Sequence, residues 1–281
     1  MLAYRHQFHA GNFADVFKHA LLTRLLLALG HKDKPFFYLD THAGTGLYDL
    51  THPWTQKLQE HRAGIDLLWQ RTDVPELFAP YLEGVRAENP PRGGLRFYPG
   101  SPRVARRLLR AGDRIELNEL NRDDCAALAR LFQGDPQVHV HCMDGYQALK
   151  AFLPPAERRG LVLIDSSFDR AREFERLVDG LQEAHRRWAT GVLALWYPLM
   201  APYAVHGFER GVVATGVRKI LRLELSVLPA SWADGLRGCG MLVVNPPFGF
   251  ETEARPMLDW LWRTLAEAKT GGHSVQWLVP E

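Results

Sequence analysis

The chain has 281 residues, 46% of them hydrophobic and 23% charged, a globular composition that suits one large α/β domain or a domain with an insertion. Its 34 basic and 32 acidic residues leave a formal net charge of +2, which excludes a generally cationic nucleic-acid coat but leaves room for a local basic face. Cys125, Cys142 and Cys239 are few, odd in number and widely spaced, against both a disulfide framework and a zinc knuckle. The opening MLAYRHQFHAG lacks the apolar core of a signal peptide, and the longest apolar run, 25–29, is far too short to span a bilayer. A cytoplasmic location is expected.

The first element is a helix. Asn12 suits the N-cap, Phe13, Val16, Phe17, Ala20 and Leu21 recur at helical spacing, and Gly30 can end it. A strand follows over Phe36–Asp40, ending in the glycine-rich turn DTHAGTG, Asp40 to Gly46. Residues 50–97 fit poorly into a minimal α/β unit. They hold helical stretches at Gly64–Arg71 and Pro75–Glu88 and close on NPPRGG, and they read as an inserted helical subdomain. The main domain is then 1–49 plus 98–281. Ser101-Pro102 starts a helix, Ser as N-cap and Pro at the first helical position. Strands are expected at Arg114–Asn118, Val138–Cys142, Leu161–Asp165 and Val192–Tyr197. The last third reads as two strands, Arg218–Leu228 and Met241–Asn245, a helix near Ala254–Ala268 and a short strand Ser274–Val279. The fold class expected is α/β: a Rossmann-like, class I S-adenosylmethionine-dependent methyltransferase sheet with an antiparallel C-terminal hairpin.

Glycines let backbone approach a ligand closely, and Asp40 and His42 add polar groups at the strand end. A nucleotide-binding α/β fold next wants an acid at the end of its second strand, to hold ribose hydroxyls. Glu119 in RIELNEL has that placement, displaced by the insertion. Asp144-Gly145 ends the third strand, where an acid can accept from an adenine amino group. A helix N-terminus at Ser101 can receive a carboxylate.

These residues meet a known pattern. YRHQFHAGNFADVFKH at 4–19, LDTHAGTG at 39–46, YPGSP at 98–102, LNEL at 117–120, MDG at 143–145, RRGLVLID at 158–165, ALWYP at 194–198 and the closing WLVPE resemble the RlmJ family over the whole length. These are bacterial 23S ribosomal RNA adenine N6-methyltransferases, some labelled as needed for using external DNA. The resemblance implies cofactor contacts at Lys18, His19, His42, Ser101, Glu119, Asp144, Gly145 and Asp165, and a substrate role for Tyr4. It implies S-adenosyl-L-methionine as cofactor and 23S ribosomal RNA as partner.

One departure matters. Such enzymes carry Asp-Pro-Pro-Tyr or a near variant after the fourth strand; here Asp165-Ser166-Ser167-Phe168 stands there. Each proline would fix its φ angle, so the turn is expected to be looser. Asn245-Pro246-Pro247-Phe248 resembles the motif but follows the last hairpin strand. Asp165 is therefore assigned the catalytic role, with Phe168 and Tyr4 sandwiching the base. Arg103, Arg106, Arg107 and Arg110 form a stripe at helical spacing, either a solvated face or a phosphate track, and Arg158, Arg159, Arg170, Arg172, Arg186 and Arg187 are further candidates. His139, His141 and Cys142 read as ordinary strand sequence; no metal and a monomer are expected. The alternatives are a DNA adenine or small-molecule methyltransferase, and a weakened or non-catalytic nucleic-acid-binding relative.

Overall fold

A computed structural model describes residues 4–169, 172–229, 231–232 and 235–281. Arg170, one of the candidate phosphate contacts, lies outside them. Asn12 caps α1 (Phe13–Gly30) by accepting from the Asp15 N–H, as its sequence position predicts. Then come β1 (Phe37–Asp40), β2 (Leu47–Asp49), α2 (Pro53–Leu58), α3 (Ile65–Trp69), α4 (Ala79–Ala87), β3 (Phe97–Pro99) and α5 (Ser101–Leu108). The middle of the chain alternates β4 (Arg114–Asn118), α6 (Arg122–Leu131), β5 (Val138–His141), α7 (Gly145–Phe152), β6 (Gly160–Ile164), α8 (Glu173–Arg187) and β7 (Val192–Pro198). It ends with α9 (Pro202–Ala214), β8 (Ile220–Ser226), β9 (Gly238–Val244), α10 (Phe250–Leu265) and β10 (Gly272–Val279).

Eight strands form one mixed sheet in the order β10-β8-β9-β7-β6-β1-β4-β5. The run from β7 to β5 is parallel, and β9 is antiparallel to both β7 and β8. This is the class I methyltransferase sheet with its antiparallel C-terminal part. The chain moves outward from β1 to β4 and β5, then returns to β6 on the other side of β1. Such a reversal leaves a crevice at the carboxyl ends of the strands. Register aligns those ends: Asp40 is level with Leu117 and Leu163, and Asn118 with His141.

Side-chain alternation along the strands feeds two cores. Tyr38 of β1 faces a cluster with Phe17, Leu21 and Leu25 of α1 and Leu258 and Leu261 of α10. Phe37 and Leu39 face the opposite cluster with Leu149, Leu177, Leu181 and Phe208. Helices thus cover both faces.

Within 50–97 the observed elements are helical, in shorter pieces than expected. Pro75–Glu88 divides into a 3₁₀ turn, Glu76–Phe78, and α4. Its Phe78, Tyr81, Leu82 and Val85 belong to the same buried cluster as α1. A small antiparallel ribbon, β2 with β3, closes the base of this segment and was not anticipated. Three other expectations are corrected. The N-cap of α5 is Gly100, so Ser101 and Pro102 occupy the first helical turn. α10 begins at Phe250, because Gly249 takes φ +81° just before it. Cys125 and Cys142 form a disulfide with Cα atoms 5.9 Å apart, against the sequence expectation. Their 17-residue separation hides that α6 packs back along β5. Among the described residues no helix is long and apolar enough to cross a membrane.

Candidate active site

At the carboxyl end of β1, Asp40 is completely buried and accepts hydrogen bonds from the Tyr38 hydroxyl at 2.9 Å and the His42 N–H at 3.3 Å. Burial raises its pKa to about 6, against hydrogen bonds from Ser101 and Tyr38 that favour the anion. The turn beyond needs its glycines. Gly44 has φ +60°, and a Cβ there would meet the Tyr48 hydroxyl at 2.2 Å. A Cβ on Gly145 would meet the Thr41 carbonyl at 2.4 Å and the His42 ring at 2.8 Å. The loop after β5 therefore closes on the loop after β1 only because residue 145 lacks a side chain, and Gly44 admits the Tyr48 hydroxyl for the same reason.

Glu119, at the end of β4, accepts from the backbone N–H of Gly44 at 2.9 Å and of Asn121 at 2.7 Å. Burial raises its pKa, with these bonds opposing. Asp144 caps α7 through the Tyr146 N–H at 3.0 Å and pairs with Arg176 at 3.0 Å. A carboxylate has about four acceptor sites, so both acids keep capacity for a ligand.

The densest charge lies between α1 and β6. Lys18, itself buried, reaches Asp165 Oδ2 at 2.6 Å and Asp15 Oδ1 at 2.9 Å. Burial would strip its proton, but the two carboxylates hold its pKa well above normal. Burial likewise opposes Asp15, yet His6 and Lys18 keep its pKa well below the usual carboxylate range. Asp15 Oδ2 contacts His6 Nε2 at 2.9 Å, and His6 Nδ1 contacts the Tyr4 hydroxyl at 2.8 Å. A continuous polar chain thus runs from Tyr4 to Asp165. His19 bonds the Tyr98 hydroxyl at 2.8 Å, and burial drops its pKa to about 3, so its ring is neutral at ordinary pH.

Phe168 has φ +54°, an uncommon conformation for a bulky residue, and packs edge-on against Phe174 and Trp196. Ser166 is buried, its hydroxyl without a hydrogen-bond partner among the described residues, and Ser167 donates to Asp169.

One cavity of about 940 Å³ is lined by every sequence-derived candidate: Tyr4, Lys18, His19, His42, Ser101, Glu119, Asp144, Gly145, Asp165 and Phe168. Sequence reasoning missed His6, Asp15, Arg176 and Trp196, which line it too. The signal for Asp15 was legible: Asp15 and Lys18 are charged residues one turn apart in a helix otherwise almost wholly apolar. The decoy falls elsewhere. β9 runs antiparallel to β7, so Asn245 emerges at the opposite end of the sheet, where its side chain donates to the Ala189 and Gly191 carbonyls at 2.9 Å.

Three of the four arginines of the stripe are tied inward, while Arg107 is exposed with no ion-pair partner among the described residues. Arg103 pairs with Glu88, Arg106 with Asp135, and Arg110 with Asp113 and the Gly30 and Lys32 carbonyls. Arg172, Arg186 and Arg187 pair with nearby glutamates, and Arg159 donates to the Leu29 and Lys34 carbonyls. His141 contacts Glu116 at 2.6 Å.

The family model described as "Ribosomal RNA large subunit methyltransferase D, RlmJ" matches residues 33–279. The "Ribosomal RNA large subunit methyltransferase J" of Escherichia coli (strain K12) is 44% identical over 281 residues, covering all of both chains. The chain belongs to the RlmJ family. The protein of that name from Haemophilus influenzae matches equally, at 44% over both full lengths. A crystal structure of a Legionella pneumophila protein superposes with a TM-score of 0.87 at 38% identity, over 95% of this chain and 97% of that one. As an RlmJ family member the chain is an S-adenosylmethionine-dependent ribosomal RNA methyltransferase.

The cavity fits that cofactor. Acids at the ends of β4 and β5 line it and offer acceptors for hydroxyl and amino groups.

Proposed function

We propose that this RlmJ family member methylates the N6 amino group of an adenine in 23S ribosomal RNA, acting in the cytoplasm as a monomer. Its parts are then a methyltransferase domain, 1–49 with 98–281, and an inserted helical subdomain, 50–97. The observation that carries the reading is Asp165. It ends β6 in the cavity, and Lys18 engages only its Oδ2, leaving Oδ1 without a hydrogen bond to any described residue. An adenine amino nitrogen is a poor nucleophile, because its lone pair is delocalised into the ring.

S-adenosylmethionine supplies an electrophilic methyl group on a sulfonium. Glu119 would accept from its ribose hydroxyls and Asp144 from its adenine amino group, while Gly145 and His42 would wall the site. Ser101 would receive its carboxylate at the start of α5, and Lys18 and His19 would close the pocket from α1. Asp165 Oδ1 accepts one amino hydrogen of the target base, drawing the nitrogen toward tetrahedral geometry, and takes up or relays the proton released. The Lys18 ammonium, 2.6 Å from Oδ2, holds this carboxylate in place. Tyr4 and Phe168 flank the base, each such stack contributing roughly 1–3 kcal/mol. The adenine must be unpaired or extruded to enter.

The test is methylation by the full chain of 23S RNA, of DNA and of free nucleosides, followed by mass spectrometry of 23S RNA from cells lacking the gene. One lost N6-methyladenine is expected; label on DNA alone, or none lost, overturns the reading. A second reading, a weakened relative, is favoured by the Ser166-Ser167 turn, and single-turnover methylation separates the two.

A further inference from the structure

A second cavity, of about 630 Å³, opens beside the first, and Leu199, Pro202 and Arg237 line both. This volume lies within the range of small-molecule sites. Arg222 and Glu224 of β8 and Glu209 of α9 form its polar floor. Arg222 pairs with Glu209 and donates to Gln276 at 2.8 Å, but its buried Nε makes no hydrogen bond and stands 3.8 Å from Glu224. Glu224 accepts from the Tyr197 hydroxyl at 2.9 Å, which fixes the carboxylate. At the rim, Arg237 and Lys269 have no ion-pair partner among the described residues, unlike most of the arginines described above.

We propose that this cavity receives the nucleotide next to the target adenine, with Arg237 holding the intervening phosphate and the Glu224 carboxylate reading the neighbouring base. This rests on the RNA-methylating reading given above. Three observations combine. Arg237 stands on the wall between the two cavities, where the backbone of a strand with one base in each must cross. A guanidinium without an ion-pair partner among the described residues is available to a phosphate, which it can grip with two parallel bonds. The floor presents the Glu224 carboxylate, held by the Tyr197 and Ser274 hydroxyls, as an acceptor for the hydrogen-bonding edge of a splayed base. Because carboxylates only accept, a base with an exocyclic amino group is favoured over uracil.

The experiment uses the full chain with short RNAs containing the target adenine, differing only in the adjacent base. Fluorescence anisotropy reads binding, and methylation reads KM and kcat. Arg237→Gln should raise both Kd and KM for RNA five- to tenfold and make the salt slope of binding shallower by about one phosphate contact. Glu224→Gln should flatten the preference of cytosine over uracil beside the target. Unchanged affinity for S-adenosylmethionine reports that each variant is folded. A wild type that methylates the RNA, with Kd, KM and base preference unmoved by either variant, overturns the second cavity alone. A wild type that binds RNA through Arg237 but transfers no methyl group supports the cavity and overturns the methylation reading.

Discussion

Asp165 and Asn245 each end a strand and begin a motif-like tetrapeptide, and the direction of the strand decides between them. Asp165→Ala should abolish methylation, because Lys18 keeps its second partner Asp15 while the amino-group acceptor is gone. Asn245→Ala removes only bonds to the Ala189 and Gly191 carbonyls and should leave the chemical step intact in a single-turnover assay. Neither the Ser166 nor the Ser167 N–H donates to a described residue, so Ser166→Pro with Ser167→Pro sacrifices no backbone hydrogen bond to one and loses only the Ser167 side-chain bond to Asp169. The double variant should turn over faster, with unchanged cofactor affinity, if the rigid turn is what the serines forgo. Glu119→Ala should weaken cofactor binding by about 1.5–3 kcal/mol, the worth of a charge-assisted hydrogen bond, as calorimetry would read. Asp40 sets a pH signature. Its carboxyl, with a pKa of about 6 in the fold against about 3.9 for a free aspartate, holds its proton more tightly when folded. Relative to Asp40→Asn, wild-type stability should therefore fall as pH rises from about 4 to about 6 and stay flat above, by a few kcal/mol at most, in urea titrations at several pH values. The order Asp40, Glu119, Asp144, Asp165 was legible in the sequence because each acid ends an apolar strand run. Tyr4 and His19 were reached only through the family likeness, since nothing in their local pattern separates a ligand from a cap.

The helical segment at 50–97 announces itself by what it lacks, an alternating apolar run, yet its composition does not reveal how deeply it is built in. Phe78 is fully buried and packs on Trp260 of α10 with ring centroids 4.7 Å apart. Phe78→Ala should cost about 3–5 kcal/mol, as for other buried aromatics, and lower the melting temperature of the whole chain in one transition. Separate melting of the segment, with the rest unmoved, would count against that. The disulfide and the β2–β3 ribbon stayed illegible for one reason. Both depend on where a helix or turn returns in space, and a residue's spacing along the chain carries no trace of it. The boundaries of α10 and α5 missed for a more local reason: glycines at 249 and 100 supply the entry, and the more familiar cap residues beside them do not.

Across the molecule, near-balanced charge and the internal pairing of several arginines argue against a broad basic face. Binding of single-stranded RNA should show a log–log salt slope no steeper than about −3, the signature of roughly four phosphate contacts. A slope twice as steep would mean that a broad basic face had been overlooked. The reversal of β9 has a practical side as well. It delivers residues 245–249 to the pole opposite the cavity, and Phe248 projects there fully exposed. Cys125 and Cys142 are bonded to each other and Cys239 is buried, so Phe248→Cys would give the chain a single reactive thiol. A fluorophore or a surface tether attached at that point would leave the mouth of the enzyme facing outward, which suits the protein to immobilised assays on long RNA.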